Sequence, residues 1–279
     1  VASTFLPKLA LTLTQGEKMI HFCFGNGNSR KDLDLDEYKQ HGIVVGCNAI
    51  YRDFTPDILV ALDTPIGHEI YRSGYAHRNT CHLGYWTPIP VEVVEDMLDK
   101  ETRPVSLSPP DLDFVREAVY HGADGVFTLE SKGKGITYIT GTVEGDMVQN
   151  IEPNIDGFAY VTGTRAIHLS CEVGATEVYI IGYDLYSIDD KINNIYAGTR
   201  CYADEDTPFN RPDNPEKDDY HNWIMQHKNT FDTFKDIKFY KVNPGCSDSP
   251  IDAEIEEWKD CENLEYMTFA ELNNKFLPF

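Results

Sequence analysis

The stretch Phe158–Tyr186, FAYVTGTRAIHLSCEVGATEVYIIGYDLY, decides the fold class. Phe158–Val161 is a short apolar run with aromatic and β-branched residues, which predicts a strand. It breaks at Thr162-Gly163-Thr164 into a segment whose apolar residues recur at helical spacing. Ala166, Ile167, Leu169, Ser170 and Val173 can share one face, Thr164 is the expected N-cap, and Gly174 supplies the left-handed residue that ends many helices. Glu177–Ile181 predicts a second strand. Strand, helix and strand this tightly spaced read as a βαβ unit with a right-handed crossover. Its loops, Thr162–Thr164 and Gly182–Tyr186, then open at the carboxyl ends of parallel strands, where a helix N-terminus attracts phosphate. A turn with a single glycine also fits an ordinary strand-helix connection that holds no ligand.

Upstream, three more apolar runs end in polar residues. Ile20–Phe24 predicts the first strand and runs into Gly25-Asn26-Gly27-Asn28-Ser29, whose glycines allow close backbone approach to a ligand and whose Asn26 and Ser29 offer hydrogen bonds. Ile43–Cys47 predicts the second and ends at Asn48; Ile58–Leu62 predicts the third and ends at Asp63-Thr64-Pro65. In an open α/β sheet such ends line one crevice. The expected fold is therefore α/β: a Rossmann-like, open, mostly parallel sheet with helices on both faces and a mobile lid. Asp32-Leu33-Asp34-Leu35-Asp36 has the Asp-x-Asp spacing of some metal sites but reads as solvated acids near the first helix. In the middle of the chain, Glu92–Leu98 and Asp111–Tyr120 are helix candidates, while Val126–Leu129 and Ile136–Thr140 are β-prone. His68, His77 and His82 lack metal-ligand spacing. After Tyr186 the polar segment 187–219, with Tyr196, Arg200, Tyr202 and Arg211, is too long and too polar for an ordinary buried connection and reads as a lid. Tyr220–Phe234 predicts a helix carrying His227, and Ile237–Val242 a further strand.

The 279 residues contain 24 Lys+Arg against 46 Asp+Glu, a formal net charge of -22. Such a surface repels nucleic acid and anionic lipid, so an anionic ligand requires a local basic pocket. Seven scattered cysteines without a Cys-x-x-Cys pair read as reduced core residues, not as a disulfide framework or a zinc site, and point to the cytoplasm. No apolar run approaches the roughly 20 residues that span a bilayer. The expected organisation is a leader or remnant over 1–18, a nucleotide-binding domain over 19–246 with its lid at 187–219, and an acidic amphipathic tail over 247–279. That tail would pack on the core or on another subunit, which leaves a homo-oligomer open.

Taken together, the motifs resemble those of bacterial sialyltransferases that build lipooligosaccharide. Gly25-Asn26-Gly27-Asn28-Ser29 looks like that family's Gly-Asn-Gly-Pro-Ser, Cys47-Asn48 its Cys-Asn pair, Thr64-Pro65 its Thr-Pro and Thr162-Gly163 its Ser-Gly. Glu177–Tyr186 is close to its strand and Asp-aromatic-Tyr ending. Tyr196 and Tyr202 fall where it has two lid tyrosines, and His227-Lys228-Asn229-Thr230 resembles its His-x-Lys-Asn-Thr neighbourhood. The order is collinear over most of residues 19–246. The resemblance implies that Gly25, Asn26, Gly27, Ser29, Asn48, Thr162, Gly163 and Thr164 hold the cytidine monophosphate part of a donor. Asp63, Thr64, Arg165 and Asp184 would lie near the donor sugar or the acceptor. His227 would be the general base, and Tyr196 and Tyr202 would bond the departing phosphate without a metal or other cofactor. The implied reaction is inverting transfer of a sugar from a CMP-activated donor to a glycan hydroxyl. The chain departs from the family at Asn28, Thr162 and Arg165 and in its middle region.

Two other readings stand beside this one. Pterin pyrophosphokinase-like proteins share the Gly-Asn-Gly-x-Ser loop and a Gly-x-Asp strand end; that reading gives Asp63 and Asp184 to magnesium and ATP to the site. A third is an assembly protein that kept the fold without the chemistry.

Overall fold

The computed structural model describes residues 18–83, 89–90, 115–121, 126–131, 136–144, 147–150, 154–155, 158–186, 191–204, 206, 219–246 and 249–277. The expected helix at Glu92–Leu98, most of the segment 187–219 and nearly all of 1–18 lie outside them. Along the chain come β1 (Ile20–Phe24), β2 (Ile43–Cys47), β3 (Ile58–Ala61), α1 (Thr64–Arg72), β4 (Thr80–Leu83) and β5 (Ile89–Pro90). There follow β6 (Val115–His121), β7 (Val126–Ser131), β8 (Ile136–Glu144), β9 (Met147–Asn150), β10 (Asn154–Ile155) and β11 (Phe158–Ala159). The last elements are α2 (Thr162–Glu172), β12 (Glu177–Ile181), α3 (Asp219–Thr233), β13 (Lys238–Asn243), β14 (Leu264–Thr268) and α4 (Phe269–Phe276). The chain forms two compact units: Val1–Cys47 with Gly163–Phe279, and Asn48–Thr162.

The first unit has the α/β architecture. Its strands lie in the order β2-β1-β12-β13-β14, every neighbouring pair parallel. All five residues of β12 are buried, as a strand covered on both faces requires. On one face Cys23 Sγ lies 3.2 Å from Ser170 Oγ of α2, and the Phe239 ring lies 4.7 Å from Phe231 of α3. On the other, Phe22 and Tyr179 meet Phe276 of α4 at 5.0 and 5.1 Å, and Phe22 meets Tyr38 at 5.3 Å. Strand alternation accounts for this division: His21 and Cys23 turn to one face, Phe22 and Phe24 to the other. From β1 the chain steps to β2 on one side, while β12 flanks it on the other. The order therefore reverses between β1 and β12, where open α/β sheets bind ligands.

The tail after residue 246 supplies the edge strand β14, the helix α4 and Trp258, whose indole N–H donates to the Ile224 carbonyl at 2.9 Å. Cys23, Cys47, Cys171 and Cys261 in this unit are buried thiols outside any disulfide, and Cys201 and Cys246 are exposed.

In the second unit β3, β4 and β8 run parallel, and β6, β7, β8 and β9 form an antiparallel meander. The β-prone runs at 126–129 and 136–140 lie in β7 and β8. The helix expected at Asp111–Tyr120 is instead the strand β6 from Val115, because pairing with β7 across a short connection overrides a weak helical period.

Three details of the organising stretch also differ from expectation. The Phe158–Val161 strand shrinks to Phe158–Ala159 and pairs antiparallel with β10 in a separate two-stranded sheet, so α2 closes no βαβ crossover from it. A local hairpin closes a far shorter loop than a crossover and wins on entropy. The helix begins at Thr162, two residues before the expected N-cap. Its end is as read: Gly174 takes φ +100°, its N–H donates to Cys171 O at 3.1 Å, and Ala175 N–H donates to Ser170 O at 3.0 Å.

Candidate functional site

At the switch point of the first unit, backbone pairing continues past the strand ends. Gly25 N–H donates to Ile181 O and Gly27 N–H to Gly182 O, both at 2.8 Å. This closeness is what the two glycines permit. A Cβ on Gly25 would stand 2.5 Å from Gly182 O, and one on Gly27 would collide with the Asp184 carboxylate. Asp184 is itself buried, and its oxygens accept from Ser29 N–H at 2.9 Å and from the Ser29 hydroxyl. The donors expected to meet a ligand thus hold a carboxylate of the protein, carried there by the loop after β12. Arg30, also buried, donates from Nε to Gly25 O and from Nη2 to Asn26 Oδ1 at 3.0 Å, while Asn26 Nδ2 donates to Cys47 O at 3.0 Å. The loop is therefore pinned from both sides before any ligand arrives.

The tyrosine-bearing segment is tied to the same loop. Ile195 N–H donates to Asn26 O at 2.8 Å, and Asn28 N–H donates to Asn193 Oδ1 at 2.8 Å. The rings of Tyr196, which is buried, and Tyr202 lie 6.1 Å apart.

A second group gathers around Tyr183. Its hydroxyl donates to Gly163 O at 3.2 Å and lies 3.5 Å from Cys47 Sγ, and its ring meets His227 edge to face at 5.6 Å. His227 is 1% exposed, stacked on Trp258 at 5.8 Å. Its Nδ1 lies 2.6 Å from the Trp223 carbonyl, which can only accept, so Nδ1 carries the proton and Nε2 the lone pair. The Thr164 hydroxyl sits 3.1 Å from Nδ1, which explains why Thr164 does not cap its own helix. Among the described residues the buried Nε2 has no hydrogen-bond partner. Burial lowers the His227 pKa to about 4, with Lys241 pushing the same way and the bond to Trp223 opposing.

Arg165 points elsewhere. It pairs with Glu172 at 2.8 Å, two turns down α2 from the helix N-terminus.

The remaining residues belong to the second unit. Asn48 takes φ +50°, a conformation asparagine tolerates, and its buried Oδ1 has no partner among the described residues. Asp63 is exposed and its carbonyl accepts from Gly67 N–H at 3.0 Å; Thr64 is the first residue of α1. Thr162 Oγ1 accepts from Leu62 N–H at 3.2 Å.

Against known proteins, the chain matches no family model, no curated protein and no solved structure. The resemblance to sialyltransferases accordingly rests on its motifs. Among the described residues no group of three or more His, Cys, Asp or Glu is disposed to hold a metal, and no helix is long and apolar enough to cross a membrane. Asp32, Asp34 and Asp36 are exposed, with Asp34 Oδ1 accepting from Asp36 N–H at 3.1 Å.

Four residues the sequence reading passed over belong to these groups: Arg30, Tyr183, Lys241 and Asn243. Lys241 is buried and donates to Asn243 Oδ1 at 2.6 Å. Its signal was available, since Lys241 and Asn243 fall at the same period-2 positions of β13 as the apolar Phe239.

Proposed function

We propose that the first unit carries the nucleotide site of a metal-independent glycosyltransferase that moves a sugar from a CMP-activated donor to a glycan hydroxyl. The observation that carries this reading is the Ile195–Asn26 hydrogen bond, which ties the tyrosine segment to the glycine loop at the sheet's switch point. The Nε2 lone pair of His227 meets no donor among the described residues, which suits the reading, while a pKa lowered by burial to about 4 makes it a weaker base than an ordinary imidazole. In the proposed step Nε2 takes the proton of the acceptor hydroxyl as its oxygen attacks the anomeric carbon. The bond from that carbon to the phosphate oxygen breaks, and the electron pair leaves with CMP. Tyr196 and Tyr202 donate to the departing phosphate, so no Lewis acid is required. The Ser29–Asp184 bonds weigh on this reading and the magnesium reading alike, since they engage Ser29 as a nucleotide donor and Asp184 as a magnesium ligand.

The test is transfer and hydrolysis of a CMP-sugar by the parent protein and by His227→Ala, alongside a thermal-shift panel of CMP, UDP, GDP and ATP with and without magnesium. The reading expects stabilisation by CMP without magnesium and a loss of turnover of about a hundredfold or more in the variant. Equal turnover removes His227 from the chemistry. Stabilisation by ATP alone, and only with magnesium, transfers the site to a kinase-type reaction. No shift with any nucleotide favours an assembly protein.

A further inference from the structure

We propose that Lys241 is an anion-binding residue of the first unit, its ammonium taking a phosphate group of the ligand at the carboxyl edge of β12 and β13. The proposal deepens the glycosyltransferase reading and rests on it for the identity of the ligand, though not for the role of the lysine.

Phe239 packs on Phe231 of α3, so Lys241, two residues on, projects to the same face of β13 as the helix that bears His227. Lys241 is 2% exposed. Its ammonium has three donors, and among the described residues it spends one, on Asn243 Oδ1 at 2.6 Å. The two carboxylates whose fields reach it are engaged elsewhere: Asp184 accepts from Ser29, and Asp252 accepts from the amides of Gly245 at 2.9 Å and Cys246 at 2.7 Å. Burial pushes the Lys241 pKa down to about 8 against their pull.

A buried ammonium so thinly paired lowers stability, and an apolar side chain would fill the position at less cost. Two other cations near these strand ends among the described residues are committed within the protein, Arg30 to Gly25 and Asn26 and Arg165 to Glu172. In a chain of net charge -22, an anion reaching the switch point therefore has Lys241 to meet. His227 is carried by the helix that packs on this same face of β13, and its Nε2 is a buried acceptor without a donor among the described residues. A ligand that offers a phosphate oxygen to the one and a hydroxyl to the other satisfies both.

The experiment is calorimetric titration of the full chain with CMP, ATP, inorganic pyrophosphate and cytidine, repeated on Lys241→Met and Lys241→Gln. At least one phosphate-bearing probe is expected to bind the parent, and both variants to weaken it about tenfold or more, the loss of a charge-assisted hydrogen bond. Cytidine, lacking phosphate, should bind parent and variants alike, and the ligand-free variants should melt at or above the parent temperature. Equal affinities across the three proteins overturn the proposal, as does a parent that binds no phosphate-bearing probe. If pyrophosphate needs Lys241 but CMP binds no more tightly than pyrophosphate, Lys241 keeps its role and the cytidine reading falls. If both variants fail to fold, the parent decides: sulfate, which does not titrate, must take up protons on binding near pH 8, and none taken up overturns the proposal.

Discussion

His21 and His227 carry the residue-scale consequences of burial. His21 sits on β1 with 0% exposure, neither ring nitrogen has a hydrogen-bond partner among the described residues, and burial lowers its pKa to about 4. Above pH 6.5 both folded and unfolded chains hold this ring neutral. As the pH falls toward 4 the unfolded chain takes a proton that the folded one refuses, so stability is lost across that window, by on the order of 3 kcal/mol for this ring. His227 adds a loss of the same sign. His21→Leu should therefore melt with a shallower dependence on pH between 6.5 and 4 than the parent; parallel curves would mean that the ring is protonated in place. Asp184 offers a second residue-scale prediction. Asp184→Ala strands the Ser29 N–H and hydroxyl and should destabilise by about 2 kcal/mol in a denaturant titration. Gly27→Ala, which drives a methyl into the same carboxylate, should produce a comparable loss.

At the scale of elements, helix ends were more legible than strand partners. Gly174 was read as the end of α2 from its residue type, and its φ of +100° is the reason: that conformation costs a side chain and costs glycine little. Gly174→Ala should lower stability by about 1 kcal/mol. The start of α2 lies three residues before the one that a Thr164 N-cap implies, and the Thr164 hydroxyl instead meets His227, 63 residues away. α4 carries a capping box that spacing alone announces. Thr268 Oγ1 accepts from Glu271 N–H at 3.2 Å, and the Glu271 carboxylate accepts from Thr268 N–H at 2.8 Å. Thr268→Ala should cost about 1 kcal/mol, measured as a shift in denaturant midpoint, and no shift would mean that α4 frays already. Strand partners were harder. Phe158–Val161 has the composition of a sheet strand, yet its paired residues Phe158–Ala159 join β10, while Asp111–Tyr120 reads as helix and Val115–His121 pairs with β7. Composition reports that a run suits a pleated surface, not which neighbour supplies that surface.

At the scale of the molecule, charge sets the expectation. With 46 acidic against 24 basic residues, self-repulsion opposes the folded state, and screening should relieve it. Raising NaCl from about 20 mM, where the screening length is near 20 Å, to about 500 mM should raise the melting temperature. A fall would show that specific ion pairs such as Lys18–Glu177, at 2.5 Å, outweigh the general repulsion. The division into two units is also a property of the whole chain. The residues between β2 and α2 form a unit of their own, so the five parallel strands come from the two ends of the sequence.

The sequence by itself determined the α/β class, the apolar parallel strands with polar ends, the glycine loop after β1 and the C-terminal glycine of α2. Each of these depends on a local period or on one residue's conformational freedom, and neighbours in the chain suffice to express it. Tertiary structure alone decided what those polar ends touch. It set Asp184 into the glycine loop and enclosed His227 between Trp258 and Tyr183. The physical reason is that a side chain's charge and hydrogen bonds answer to whatever packs around it. Most of those neighbours lie tens to hundreds of residues distant, where no local pattern reaches.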